Sequence, residues 1–467
     1  MVTSIAHWKQ QVKSGLFSPG IVADILSAQR IEEYCRAAGH RWRCSFWSPT
    51  LTVFAFLLQV LDGAKTLRSA VAILLTQLSL QGSGDLPSAD PTAFCQARQR
   101  IPLPALQQLL GWVADQMTHL VQAPHRWLGH RVWVADGSNV SMPDTPELQQ
   151  AFPQHCQREG CGFPIAQFSV LFCWSTGAIV DLALDTLGFH EVTLFRRLWF
   201  HFRAGDVVLG DRAYGSYVDL VRLQLLGVFA VFRLHQRREA DFRRGQRLGK
   251  DDVLQTWNKP EQWLPSRGLS EKEFASLPAQ LTVRLVRIAA TPPGFRSRSI
   301  VLVTTLLDPV LYPADAIRDL YRDRWTAELN FRSLKTQLGM EVLRGQSPDV
   351  VRKEIIMHLL GYNLIRLLMW EAARKHGRDL HRLSFTGTLH RLRQSLPLLL
   401  LRAQSGTVNE THHFEQLLEW IADDLVPDRP DRIEPRRVKR RPKTYSRLTH
   451  PRAFYNQRTV GVDRDAR

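Results

Sequence analysis

RVWVAD, residues 131–136, is a short β-rich run that ends in an acid, and the chain changes character there. Before it, residues 1 to about 125 read as helical. Pro19 to Ala38 and Pro49 to Leu80 carry apolar residues at helical spacing. The turn-rich break QGSGDLPSADP (81–91) ends in a helix start before TAFCQARQRI, and Ala105 to Leu120 is a further amphipathic helix. After it, strands dominate. QFSVLFCW (167–174) and GAIVDLAL (177–184), separated by Ser175 and Thr176, read as a hairpin. DVVLGD (206–211) is a second apolar run ending in an acid. Val192 to Phe202 before it and Tyr214 to Leu226 after it look helical, and GVFAVFRL (227–234) is a fifth strand.

Three strands in a meander, then helix, strand, helix, strand, imply an α/β fold: a mixed sheet covered by helices, in the order of ribonuclease-H-like nucleases. A segment from about 235 to 299 breaks the pattern. It opens basic (HQRREADFRRGQRLGKDD), then holds Trp257, Trp263 and the alternating run LTVRLVRI (281–288), as a β-rich insertion would. A long helix is expected from near Ala314 through YRDRWTAELNFRSLKTQL, and another from Asp349 to about Lys375. The expected layout is a helical N-terminal domain over 1–125, a ribonuclease-H-like domain over 126–375 with its insertion, and a helical C-terminal region with a basic tail over 376–467.

Composition narrows the class. The 467 residues carry a formal net charge of +17, and 44% are hydrophobic. The apolar share builds a sizeable core, and the basic excess favours polyanionic partners. A run such as Leu51 to Leu61 is too short for a bilayer, which takes about 20 residues. The opening MVTSIAHWKQ lacks the basic-then-apolar pattern of a signal peptide. Six scattered cysteines (Cys35, Cys44, Cys95, Cys156, Cys161, Cys173) suit a reducing cytoplasm. Cys156 and Cys161 beside His155 form half of a zinc pattern with no second half in the sequence.

Asp136 and Asp211 each close an apolar run, and adjacent strands would project both carboxylates to one sheet edge. Glu328 on the long helix adds a third. Three hard oxygen donors suit Mg²⁺ or Mn²⁺ rather than zinc. Two such ions about 3.5–4 Å apart activate an attacking oxygen and stabilise the leaving one in phosphodiester chemistry. Each acid has an ordinary alternative. A strand-end Asp is commonplace, Asp211 could cap the following helix, and a helical glutamate usually faces solvent. Tyr321, Arg324, Glu328 and Lys335 fall within about 60° on one face of a continuous helix. They suit a metal-bound phosphate, or a solvated face with an Arg324–Glu328 pair.

YRDRWTAELNFRSLK (321–335) matches without a gap the Y-(2)-R-(3)-E-(6)-K signature of the insertion-sequence-four family of bacterial transposases. VADGSNV (134–140) and VVLGDRAY (207–214) resemble that family's regions around its first two catalytic aspartates. The resemblance covers roughly residues 127–375, and the helical N-terminus and basic tail more loosely. It implies a DNA transposase with Asp136, Asp211 and Glu328 as the metal-binding catalytic triad, two Mg²⁺ ions (Mn²⁺ also accepted), and Tyr321, Arg324 and Lys335 on DNA phosphate. It also implies a cut-and-paste route through hairpinned ends. The partners would be the element's terminal inverted repeats, target DNA and a second subunit in the synaptic complex, in a bacterial cytoplasm. In one place the chain departs from the family. Where a well-studied relative stacks a tryptophan on a flipped base, Ile300 aligns, leaving Trp257 or Trp263 as substitutes or as core.

The remaining basic segments allow two readings. Arg237, Arg238, Arg243, Arg244 and Arg247 could follow a DNA backbone or form a solvated loop. The tail cations Arg436, Arg437, Lys439, Arg440, Arg441 and Lys443 could neutralise phosphates or only aid solubility. A nuclease without strand transfer and a silent DNA-binding descendant are the competing functions. The signature helix and the intact carboxylates count against them.

Overall fold

The computed structural model describes residues 25–43, 45–80, 86–153, 163–289, 299–400 and 410–427. The candidate zinc residues His155, Cys156 and Cys161 and the basic tail lie outside the described residues. Among the described residues, no helix is long and apolar enough to cross a membrane.

The N-terminal part holds α1 (Ala28–Ala37), α2 (Pro49–Leu61), α3 (Leu67–Leu80), α4 (Thr92–Arg100) and α5 (Leu103–His119). The expected helix over Pro49 to Leu80 is two helices, parted where Lys65 takes a positive φ of 56°. The sequence of α2, PTLTVFAFLLQVL, is apolar on all sides, and every one of its residues is buried. Ser48 caps it and Pro49 sits in its first turn, where a missing N–H costs nothing.

The strands are β1 (Val132–Ser141), β2 (Ile165–Cys173), β3 (Ile179–Thr186), β4 (Val207–Gly210) and β5 (Phe229–Arg233), followed by β6 (Gln246–Gly249), β7 (Asp252–Asn258), β8 (Gln280–Ala289) and β9 (Ser299–Thr304). They form one mixed sheet in the order β3-β2-β1-β4-β5-β9-β8-β7-β6. The central pairs β1–β4 and β4–β5 are parallel, and the others are antiparallel. Residues 246–289 therefore continue the sheet beyond β9. Arg284 on β8, fully buried, pins this extension by a two-pronged bond to Asp252 at 2.8 and 2.6 Å. Its remaining nitrogen donates to the Tyr312 carbonyl at 2.7 Å, in the loop that leads to the signature segment.

Side chains alternate between the two faces of the sheet. Val132, Val134, Val207 and Leu209 join the core that also holds α2, α5 and a long central helix, Pro348–His376. Trp133, Ala135 and Val208 join a second core on the opposite face, with Phe195 and Tyr214. The central helix is buried over most of its length and packs against α2, α5 and β3. Thus the N-terminal helices share a core with the front of the sheet.

The segment expected to be one long helix is not continuous. Ala314–Asp323 and Trp325–Arg332 are α-helical and meet at Arg324, and Ser333–Gln337 is a π-helical turn. Tight bonds from Arg324 N–H to Tyr321 O and from Ala327 N–H to Arg324 O overwind the junction. The wider Leu338 N–H to Ser333 O bond then underwinds the end. A constant 100° per residue therefore does not place Lys335.

Candidate active site

Asp136 is the fifth residue of β1, not its last. The strand runs on to Ser141, because β2 keeps pairing with it through Ser141↔Ile165. The parallel partner β4 stops earlier, its register ending at Val134↔Leu209 in this pair. Asp136 and Asp211 thus lie just past the end of the β1–β4 pairing. By alternation each follows the front set, Val132-Val134-Asp136 and Val207-Leu209-Asp211. Asp211 does not cap the following helix, Tyr217–Leu225. Ser216 does, accepting from the Asp219 N–H at 3.1 Å.

The signature segment crosses this front face. Tyr321 is 6% exposed, and its hydroxyl donates to the Gly210 carbonyl at 3.3 Å, one residue before Asp211. Arg324 lies 5.6 Å from the Tyr321 ring centroid and 3.7 Å from the Glu328 carboxylate. Glu328 is exposed. Lys335, brought round by the π turn, donates to the Ser138 hydroxyl at 3.0 Å, two residues past Asp136 on the same face of β1. The sequence pattern had put all four residues on one accessible helix face. The structure instead buries the tyrosine and leaves the glutamate outermost.

The charges are coupled. Burial pushes the Asp136 carboxyl up to about 7. Arg324 and the Gly137 N–H pull it down, whereas Glu191 and Glu328 push it further up. Burial lowers the Arg324 guanidinium, but Tyr321, Asp136, Asp211 and Glu328 together raise it. Burial also drives the Tyr321 hydroxyl up to about 12. Arg324 is therefore the point where the fields of all three candidate carboxylates meet. Among the described residues, no three His, Cys, Asp or Glu side chains converge closely enough to grip a metal ion.

Trp257 and Trp263, the aromatic residues that could stand in for the relative's stacking tryptophan, each have a partner in the fold. Trp257 is buried, with the Arg238 guanidinium 3.9 Å from its ring centroid. The Trp263 indole donates to the Leu269 carbonyl at 2.9 Å. Ile300 pairs with Ile288 in the sheet. Arg243 and Arg244 share Asp241.

Glu191 enters this picture without having stood out in the sequence. It opens the short helix Glu191–Arg196, and its side chain lies against Gly137. Nothing in GFHEVTLF (188–195) separates it from a helix-opening acid. The signal that could have raised it is the glycine beside each aspartate, Gly137 and Gly210, which leaves room for a neighbour.

Acids set just past the end of the pairing between two adjacent parallel strands, faced by a segment bearing a third acid and two cations, define the class: a mixed α/β protein with a carboxylate-rich, cation-flanked site. Residues 127–364 match the family model described as a transposase DDE domain. The chain is 26% identical over 376 residues to the transposase InsG of insertion sequence element IS4 from Escherichia coli (strain K12), which covers 80% of this chain and 81% of that protein. It is 38% identical over 65 residues to the putative transposase InsL of element IS186A from the same organism, across 14% of this chain and 18% of that one. The chain belongs to the DDE transposases, in the IS4 family. It is a polynucleotidyl transferase and endonuclease, the transposase of an insertion sequence. Among solved structures, a piggyBac transposase synaptic complex with hairpin DNA resembles it at 10% identity and a TM-score of 0.44, over 90% of this chain and 86% of that one.

Proposed function

We propose that this transposase cuts the ends of its own element and joins them to target DNA at a site made by Asp136, Asp211 and Glu328. The observation that carries the reading is that the signature segment crosses the front face where Asp136 and Asp211 lie: Tyr321 bonds to the Gly210 carbonyl, Arg324 sits 3.7 Å from the Glu328 carboxylate, and Lys335 bonds to Ser138. The donor set fits Mg²⁺ or Mn²⁺. All three are hard oxygen donors, and the burial that pushes the Asp136 carboxyl up to about 7, with Glu191 and Glu328 adding to it, disfavours a bare carboxylate that a divalent cation would stabilise. Asp136, Asp211 and Glu328 would hold two such ions, which when bound supply charge stabilisation to the attacking and leaving oxygens. Arg324 and Lys335 take phosphate oxygens and fix the end in line. Tyr321 supports Arg324 from below, and reaches a phosphate only by releasing the Gly210 carbonyl.

The arrangement β3-β2-β1-β4-β5, with three antiparallel strands and two parallel additions, supports a ribonuclease-H-like core within residues 126–375. On this reading residues 235–299 are its insertion, residues 1–125 recognise the terminal inverted repeats, and residues 376–467 form a helical region with a DNA-binding tail. The route is cut-and-paste. One strand is nicked, the freed 3′-hydroxyl attacks the opposite strand, water reopens the hairpin, and the 3′-hydroxyl attacks the target. Two subunits hold the paired ends, in a bacterial cytoplasm. The test is a labelled duplex carrying the element end, incubated with target plasmid and Mg²⁺. Joined product with a transient hairpin is expected. Hydrolysed ends without joining would identify a nuclease instead.

A further inference from the structure

We propose that Glu191 and Tyr214 form a positioning pair that braces Asp136 and Asp211 from the back of the sheet. The proposal rests on the reading of those aspartates as the catalytic carboxylates. Asp136 and Asp211 share the front parity of their strands. Their neighbours Gly137 and Gly210 share the back parity, where Ala135 and Val208 pack. Both back positions lack a side chain, and each is filled from behind. A Cβ on Gly137 would lie 2.3 Å from the Glu191 Cδ, and one on Gly210 would lie 2.7 Å from the Tyr214 Cδ2. Any larger residue at either place must displace its occupant.

The two occupants are bonded to each other. The Tyr214 hydroxyl donates to the Glu191 carboxylate. Tyr214 is 0% exposed, and its ring meets Phe195, from the same short helix as Glu191, edge-on at 4.7 Å. The bridge therefore runs beneath two adjacent strands, from the residue after the first aspartate to the residue before the second. Tyr321 holds the same Gly210 from the front. The β1–β4 pairing stops at Val134↔Leu209, so that ladder does not fix the spacing of the two aspartates beyond it, and reacting groups tolerate little shift. A misplacement on the order of 1 Å costs about 10²-fold in rate. Removing the bridge should cost rate while sparing the binding of DNA, whose phosphate ligands sit on the front segment.

The test uses the full-length protein and three variants: Tyr214→Phe, Glu191→Ala and Glu191→Gln. Single-turnover cleavage of an end duplex, end-binding affinity, Mn²⁺ binding by electron paramagnetic resonance and the unfolding midpoint are measured for each. Tyr214→Phe and Glu191→Ala should cut cleavage by about 10- to 100-fold and weaken Mn²⁺ binding several-fold, with end affinity unchanged. Glu191→Gln keeps an oxygen that accepts from Tyr214, and should recover most of both losses. Wild-type cleavage in Tyr214→Phe would overturn the proposal. So would a Glu191→Gln variant as slow as Glu191→Ala, since charge rather than bracing would then be the function. A loss that merely tracks a lower unfolding midpoint also overturns it. Asp136→Asn serves as the control. If it cleaves normally, the assignment of the triad has failed; if it is dead while Tyr214→Phe is normal, only the brace has failed.

Discussion

Replacing Arg284 by methionine should be among the most damaging single changes in the β-sheet extension. The guanidinium is fully buried, Asp252 nearly so, and the pair is joined by two bonds of 2.8 and 2.6 Å. Arg284→Met leaves a buried carboxylate with no cation, a loss of about 3–5 kcal/mol. It also strips the Tyr312 carbonyl of its 2.7 Å donor, which alone costs about 1–3 kcal/mol. In the double variant Arg284→Met with Asp252→Leu, only the carbonyl loss remains, because a well-packed apolar pair replaces a buried ion pair at little net cost. The double variant should therefore be more stable than the single by roughly 2 kcal/mol or more. Hydrogen exchange of the β7 and β8 amides, with urea unfolding, reads both numbers. Since Tyr312 lies two residues before the helix Ala314–Asp323, which carries the start of the signature segment, cleavage should fall in the single variant as well. A single variant within about 1 kcal/mol of wild type, or a double variant less stable than the single, would refute the reasoning.

Arg324→Ala and Lys335→Ala should weaken the bound end complex and lower strand transfer only in part, because phosphate contacts position DNA and do not make bonds; unchanged end binding in both would return these cations to an ordinary solvated surface. His358, buried in the long central helix, is held neutral. Burial lowers its pKa from 6.5 to about 4, despite the bond to the Glu354 carbonyl. Its contribution is whole above pH 6.5 and is lost as pH falls through 4, about 3 kcal/mol in all. A His358→Leu variant should show a flatter stability profile over that window in urea unfolding, and a profile parallel to wild type would contradict the assignment.

Where the sequence was legible, a local period carried the information. The five strands of the sheet's first half and the helix after Asp349 stand out because apolar runs bounded by turns have few other uses. The two aspartates could be placed together because each closes such a run. What the sequence hid was non-local. The extent of β1 past Asp136 depends on pairing with β2, which no feature of DGSNVS announces. The break at Arg324 and the π turn at Ser333–Gln337 have no proline or glycine to mark them, so the arithmetic for one continuous helix face does not carry through to Lys335. Tyr321 looked polar and accessible beside its charged neighbours, yet it packs beneath them against Gly210. Glu191 lies 55 residues from Asp136 in sequence, and only the folded sheet brings it to Gly137.

The central claim is that Asp136, Asp211 and Glu328 act as one site. The most direct measurement is Mg²⁺-dependent cleavage of an end-containing duplex by Asp136→Asn, Asp211→Asn and Glu328→Gln, each with its end-binding affinity measured alongside. Every change keeps shape and removes one negative charge. The account predicts that all three lose cleavage while binding the end nearly as wild type does. Near-wild-type cleavage by any one of them would remove that residue from the triad and contradict the account.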